Sequence, residues 1–325
     1  MSKRIFSGIQ PTGIIHLGNY FGAIYNWLQL QDEYDSIFSI VDLHALTVYQ
    51  DPKKLNKNIY DLAKIYIASG LDPKKNIIFR QSDVMEHVEL GWILNCVTPI
   101  AELERMTQYK DKSDQHKQNV NAGLFTYPCL MSADILLYDT NYVPVGEDQM
   151  QHVELTRTIA KKFNNLYGNV LVLPEGKIKK VSARIKALDN PEKKMSKSAP
   201  SEYNYIALTD DPSLIRKKIM KAVTDSGSDI KFDPKKRPAI ANLITIYHLL
   251  TGLEVNEIEA KFAGKGYGDF KKDLADRLVE FVEPIQKKFN SISDKEIDAI
   301  LQDGAKRAKK LAVKKMEQVK KTIGL

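Results

Sequence analysis

Residues 4–19 read Arg-Ile-Phe-Ser-Gly-Ile-Gln-Pro-Thr-Gly-Ile-Ile-His-Leu-Gly-Asn, and this stretch decides the fold. Residues 4–9 form an apolar run of strand length, ended by the breakers Pro11 and Gly13. From Leu17 the rhythm changes: Leu17, Phe21, Ile24 and Leu28 recur at helical spacing and predict a helix to about Tyr34. The same alternation continues outward. Residues 37–41 and 77–79 predict further strands, separated by a helix over 52–69 that Gly70 stops. Residues 142–145 and 170–173 predict two more, with a helix over 149–163 between them. Strands alternating with helices of this length imply an α/β fold: a doubly wound, Rossmann-like parallel sheet flanked by helices.

Around this frame the chain changes character twice. Residues of about 85–140 read as a helical insertion carrying a charged segment, Lys110 to Asn121. The stretch Lys186 to Ser201 is rich in Lys, Pro and Ser and predicts a mobile loop. Beyond it the pattern is wholly helical, over about 211–224, 238–251, 254–263, 267–290 and 294–323. The expected division is therefore an α/β domain over 1–200, a helical domain over 201–293, and a last helix, 294–325, returning to the α/β body. That helix places Ala308, Ala312, Met316, Val319 and Ile323 on one face, with Lys306, Arg307, Lys309, Lys310, Lys314 and Lys321 mostly on the other. A solvated face on a packed amphipathic helix is preferred here to an RNA-reading one.

Composition narrows the function classes. With 325 residues, 43% hydrophobic and 27% charged, the chain reads as a soluble globular protein. It has neither an apolar run approaching the ~20 residues that cross a bilayer nor a signal-peptide core at Met1–Phe6, so the expectation is cytoplasmic, with no membrane partner. Cys96 and Cys129 are far apart, which argues against a disulfide framework, a thiolate zinc site or an iron–sulfur cluster. Residues 201–325 carry 24 Lys and Arg against 19 Asp and Glu, and the first 200 carry 24 against 22. An excess of positive charge in the C-terminal part suits a polyanionic partner there.

Two motifs carry chemistry. The first runs from Gly8 to Asn19, between the first strand and first helix, where backbone N–H groups and the helix dipole favour an anion. Gly18 permits close approach to the backbone, and His16 and Asn19 add neutral donors. The glycine spacing fits neither a Walker loop nor a dinucleotide fingerprint, which leaves nucleotide-binding and purely structural readings open. The second is Lys193-Lys194-Met195-Ser196-Lys197-Ser198. Its ammonium groups can swing onto a phosphate chain while Met195 tucks the loop back; alone, it reads sooner as a solvated basic loop.

Together and in this order, the pair resembles the HIGH and KMSKS signatures of class I aminoacyl-tRNA synthetases. His16-Leu17-Gly18-Asn19 stands for the first, with Asn19 in place of the terminal His, the form usual in tryptophanyl-tRNA synthetases. Residues 7–13, 41–47, 102–108, 133–138 and 143–149 resemble further blocks of the bacterial-type tryptophanyl family. Ala101 stands where that family usually has Gly, and Ser132 where it usually has Ala.

The resemblance implies an enzyme that joins L-tryptophan to tRNA(Trp) through an adenylate, using ATP with Mg²⁺, as a homodimer. It implies ATP contacts from Gln10, Pro11, Thr12, Gly18, Asn19, Gly146, Glu147, Asp148, Ile185 and the Lys194–Ser198 run, with His16, Asn19, Lys194, Ser196 and Lys197 closest to the chemistry. Lys112 is either a further phosphate contact or a solvated side chain. For tryptophan it implies Asp134 as acceptor of the indole N–H, Phe6, Met131, Val143 and Val145 against the rings, Tyr127 and Gln149 at the α-amino group, and His44 at the border. Indole offers one donor and no acceptor, so an apolar slot with one buried acceptor is the expected solution. His87, His116, His152 and His248 are expected to be ordinary surface or packing residues. It also implies that residues 201–293 recognise the anticodon. Tyrosyl-tRNA synthetase is the nearest alternative; a small-molecule nucleotidyltransferase and a synthetase-derived RNA-binding regulator are more distant ones.

Overall fold

The structure is a computed structural model that describes residues 3–107, 120–146, 149–178, 185–196, 199 and 201–325. Five parallel strands, β1 (Arg4–Ile9), β2 (Asp35–Ile40), β3 (Ile77–Arg80), β4 (Tyr142–Val145) and β5 (Glu175–Ile178), lie in the order β3-β2-β1-β4-β5. β1 runs in register with β2 from Arg4↔Asp35 to Ile9↔Ile40, and meets β4 at Ile5↔Tyr142. The order reverses between β1 and β4. In open α/β sheets the crevice beyond the carboxyl ends of two such strands is where ligands bind.

The chain forms two compact units. The first contains residues 1–12, 27–180 and 293–325, and the second residues 13–26 and 181–292. The division thus falls near 180, not 200, and places the first helical signature with the helical part of the chain. In the first unit, helix Pro52–Ala68 packs on β2, and its start is fixed by Pro52 and by the Asp51 side chain, which accepts from Lys54 N–H. Trp27 stacks on Phe38 of β2, 4.7 Å between centroids, and meets the edge of Tyr66 from that helix. The long helix Asp294–Ile323 lies against β3. A Cβ at Gly304 would stand 1.8 Å from the Ile78 carbonyl oxygen, so only glycine allows helix and strand backbones to approach this closely.

One expected strand is displaced. Residues 170–173 are not extended into the sheet; β5 begins at Glu175. Asn164 accounts for the difference. Its side-chain oxygen accepts from Val170 and Leu171 N–H, and its amide donates to the Leu171 carbonyl. Leu171 is buried in the core from an irregular segment, while the more polar Glu-Gly-Lys-Ile forms the edge strand. The helix expected from Leu17 is interrupted by a π-type turn at Tyr20–Ile24 before it resumes at Tyr25–Leu30.

The second unit is built on helices Pro212–Lys221, Pro238–Thr251, Val255–Lys261 and Tyr267–Ser291. Ile215, Ile219, Ile244, Tyr247, Phe270, Leu274 and Leu278 are buried there at helical spacing. Phe281 stacks on Phe21 and meets the edge of Tyr20. Among the described residues, no single helix is long and apolar enough to cross a membrane.

Candidate active site

In the first unit, side chains from four segments converge on one carboxylate. Asp134 stands near the end of helix Ala122–Leu136 and is only 1% exposed. Its Oδ2 accepts from His44 Nε2 at 2.7 Å; its Oδ1 accepts from Gln81 Nε2 at 2.7 Å and from His87 Nδ1 at 2.6 Å. His44 comes from the short helix Asp42–Ala45 after β2, Gln81 from the turn after β3, and His87 from helix Glu86–Val97. Gln81 Oε1 accepts from Leu43 N–H at 3.2 Å, so its amide nitrogen must be the end facing Asp134. Burial pushes the Asp134 carboxyl up, but the charge and hydrogen bonds of His44 and His87 outweigh it and hold the group at about 2. The group is therefore an ionised acceptor. With three donors in place among the described residues, one of its four acceptor positions remains, on Oδ2.

Phe6 on β1, Val143 and Val145 on β4 belong to one buried cluster, against which Met131 packs. Phe6 and Tyr138 stack with centroids 5.7 Å apart. Tyr127 meets His44 edge-on, and its hydroxyl lies 2.9 Å from His152 Nε2; burial pushes this phenol up to about 12. Gln149 N–H donates to the Gly146 carbonyl at the start of helix Met150–Tyr167.

Two histidines depart from the expectation of ordinary packing. His87 is fully buried and bridges Asp134 to the Tyr138 hydroxyl, which lies 2.7 Å from its Nε2. His152 is the partner of Tyr127. His248 does behave as a packing residue, bonded through Nδ1 to the Leu253 carbonyl at a helix end. His116 lies outside the described residues. Ser132 spends its hydroxyl on the Pro128 carbonyl and on Thr156 Oγ1, which links two helices and does not add a group to Asp134.

In the second unit the two signatures meet. His16 and Ala207 form an antiparallel bridge, with Leu17 N–H donating to the Ile206 carbonyl and Leu208 N–H to that of Ile15. Asn19 Oδ1 accepts from His16 N–H at 3.2 Å, satisfying a donor that the helix start would leave open. A Cβ on Gly18 would stand 3.0 Å from the His16 ring, tighter than ordinary contact, and 3.6 Å from Met195 Cβ, so the first signature lies beside the second.

The expected loop at Lys186 has more structure than its composition suggests. Lys186 and Lys194 form an antiparallel bridge, Ala187 N–H donates to the Lys193 carbonyl, and Met195 N–H to that of Ile185. Asn242 from helix Pro238–Thr251 clamps Lys186 by both its N–H and its carbonyl. Asn204 Oδ1 accepts from Ser196 N–H at 2.9 Å while its amide donates to Asp189. Ile185 and Met195 are buried, whereas Lys194 is exposed. The backbone is held and the cation is left to solvent.

A family profile for class I tRNA synthetases of the W and Y type matches residues 2–283. The chain belongs to that family. A tryptophan–tRNA ligase of Caldanaerobacter subterraneus subsp. tengcongensis is 55% identical over 323 residues, covering 99% of this chain and 98% of that protein. A tryptophan–tRNA ligase of Bacillus subtilis is 51% identical over 326 residues, covering 100% and 98%. The solved tryptophanyl-tRNA synthetase of Mycoplasma pneumoniae superposes with a TM-score of 0.91 at 37% identity, over 100% of this chain and 98% of that one. That of Campylobacter jejuni, complexed with ADP and tryptophan, gives 0.85 at 37% identity over 99% and 100%.

In this synthetase the expected nucleotide residues divide between the units. Gln10, Pro11, Thr12 and Gly146 belong to the first, and His16, Gly18, Asn19, Ile185, Lys194, Met195 and Ser196 to the second. Lys112, Glu147, Asp148, Lys197 and Ser198 lie outside the described residues. Among the described residues no three His, Cys, Asp or Glu side chains gather as metal ligands. An Mg²⁺ ion carried in on nucleotide phosphates needs no such cage, since phosphates and water supply most of its ligands.

Proposed function

We propose that this chain is a tryptophan–tRNA ligase in which Asp134 selects the amino acid and the Lys194–Ser198 run handles the phosphates. The observation that carries the reading is the buried, ionised Asp134 carboxylate, with one acceptor position left beside an apolar wall. An indole N–H is the single donor that such a slot accommodates. Phe6, Met131, Val143 and Val145 pack on the rings. Tyr127 keeps its proton and pairs with His152, and its hydroxyl oxygen serves as an acceptor for the substrate ammonium, with Gln149 as a second partner.

The substrate carboxylate attacks the α-phosphate of ATP, pyrophosphate leaves, and the mixed anhydride then acylates the terminal ribose of tRNA(Trp). Neither step calls for a protein nucleophile. Both depend on positioning and on countering phosphate charge. Gln10–Thr12, Gly18, Asn19 and Gly146–Asp148 hold the nucleotide, Ile185 borders the adenine, and Lys194 and Lys197 reach the phosphates; Mg²⁺ enters with ATP as part of the substrate. Residues 201–293 contact tRNA and read its anticodon, while the basic excess after residue 200 lies mostly in the last helix, 294–325, which carries 9 Lys and Arg against 5 Asp and Glu. ATP and tRNA as substrates suit a cytoplasmic enzyme.

A homodimer has its own support. Met85, Val88 and Trp92 (70% exposed) recur on one face at the start of helix Glu86–Val97, an apolar stripe of the kind that partners cover. Trp92→Glu should shift the sedimenting species from dimer to monomer; a wild-type chain that sediments as a monomer would contradict the assignment.

Tyrosine is the competing substrate. The tyrosyl-tRNA synthetase of Aeropyrum pernix superposes at 18% identity, which speaks for the fold alone. Pyrophosphate exchange with each amino acid separates the two readings. Exchange driven by tryptophan and not by tyrosine is expected; the reverse would overturn the assignment.

A further inference from the structure

Three donors hold Asp134, and they are not alike. His44 stands at the border of the slot. Gln81 is fixed by its own bond to Leu43. His87 lies behind the carboxylate, fully buried, with no bond to any residue assigned to the substrate other than Asp134. Its ring is wedged against Phe79, 5.7 Å between centroids, and Tyr138, 5.4 Å. Asp134 can only accept, so His87 Nδ1 donates to it, and His87 Nε2 pairs with the Tyr138 hydroxyl at 2.7 Å. Tyr138 also stacks on Phe6, the ring wall of the same slot, and meets the edge of Phe79. Burial, reinforced by the Asp134 charge, keeps the Tyr138 phenol protonated.

We propose that His87 and Tyr138 are a positioning pair that aims the Asp134 carboxylate at the ring nitrogen of the amino-acid substrate, and so sets selectivity without touching it. The inference rests on Asp134 being the indole acceptor. A carboxylate can turn about its last side-chain torsion, and a turn would carry its open Oδ2 position away from the slot. Two charge-assisted bonds to Oδ1 prevent that turn. Tyr138 in turn holds the His87 ring in one orientation, and links the acceptor to the Phe6 wall that orients the indole plane.

A positioning role and a packing role differ in which substrate they affect. The discriminating pair is tryptophan and 3-benzothienylalanine, whose ring has sulfur in place of the N–H. The readout is the ratio of their kcat/KM values in pyrophosphate exchange. In His87→Leu the ratio should fall about ten- to a hundredfold, because tryptophan loses an aimed acceptor while the analogue never used it. Tyr138→Phe, which removes one oxygen and leaves the ring stacks, should lower the ratio about threefold to tenfold. His87→Asn, which can present an amide N–H near the Nδ1 position, should recover part of the loss. KM for ATP should stay within about twofold throughout.

Equal losses for both amino acids, or an unchanged ratio in folded His87→Asn and Tyr138→Phe, would overturn the proposal and leave His87 a core residue. Should His87→Leu fail to fold, those two variants decide the matter. Asp134→Ala, which removes the acceptor, is the control on the underlying reading. If its ratio is unchanged, the acceptor assignment itself fails; if its ratio collapses while that of the His87 and Tyr138 variants does not, only the positioning pair is refuted.

Discussion

The Asp134 cluster and the Lys186–Ser196 hairpin solve opposite problems. In the first, side chains fix a side chain: His44, Gln81 and His87 hold one carboxylate out of water. In the second, side chains fix mainly backbone: Asn242 clamps Lys186 and Asn204 holds Ser196 N–H, while Lys194 stands in solvent. Choosing among amino acids requires an acceptor that is already aimed and desolvated, since an unpaired buried group is what rejects the wrong ligand. Countering charge on a triphosphate requires cations that can follow the phosphates as bonds change. Under the proposed roles, the difference teaches that this synthetase places its rigidity where it discriminates, and keeps only the anchor of its phosphate-handling segment rigid.

Breaking the hairpin side of that contrast should give the largest effect. Lys194→Ala is expected to slow adenylate formation by about a hundredfold or more, with tryptophan affinity unchanged, because its charge acts on the developing transition state. Rapid-quench measurement of the chemical step beside equilibrium tryptophan binding checks this; weakened binding with a normal chemical step would reverse the assignment of roles. A smaller loss should follow from loosening the anchor. Asn204→Ala frees Ser196 N–H and Asp189, and is expected to slow the same step by about tenfold while costing ~1–2 kcal/mol of stability in the unit that carries it. Single-turnover rates and thermal unfolding of the variant test both parts.

The acid limb of stability sharpens the other side. The Asp134 carboxyl is lowered from 3.8 to about 2 against the opposing effect of burial. A depressed carboxyl stabilises the folded state above its unfolded pKa, and that contribution is lost as pH falls through the folded value. Unfolding free energy should therefore decline between about pH 4 and pH 2, by on the order of 2 kcal/mol from this group. Asp134→Asn should flatten that part of the curve in denaturant titrations. An unaltered slope would mean that the ionised form gains nothing from its histidines.

Much of this was legible in the residues, and the exceptions have physical causes. β1 to β4 are apolar runs bounded by breakers, and all four stand where the pattern puts them. β5 escaped because Asn164 holds the apolar residues 170–171 as irregular backbone, leaving a polar edge strand that carries no hydrophobic signal. Asp134 stood out as a carboxylate among Leu, Met and Ile. Its supports did not, since Gln81 and His87 lie 53 and 47 residues away and no local spacing links them to it. The two signatures could be ordered along the chain but not joined. Their contact through Gly18 and Met195 depends on a bridge between His16 and Ala207, residues separated by most of the chain.

The account depends above all on Asp134 choosing the amino acid while other residues handle the nucleotide. Equilibrium binding of tryptophan and of ATP to wild type and to Asp134→Ala measures that division directly. Tryptophan affinity should fall by about a hundredfold or more, with ATP affinity unchanged within about twofold. Tryptophan bound equally well by the variant, or ATP lost in step with tryptophan, would contradict it.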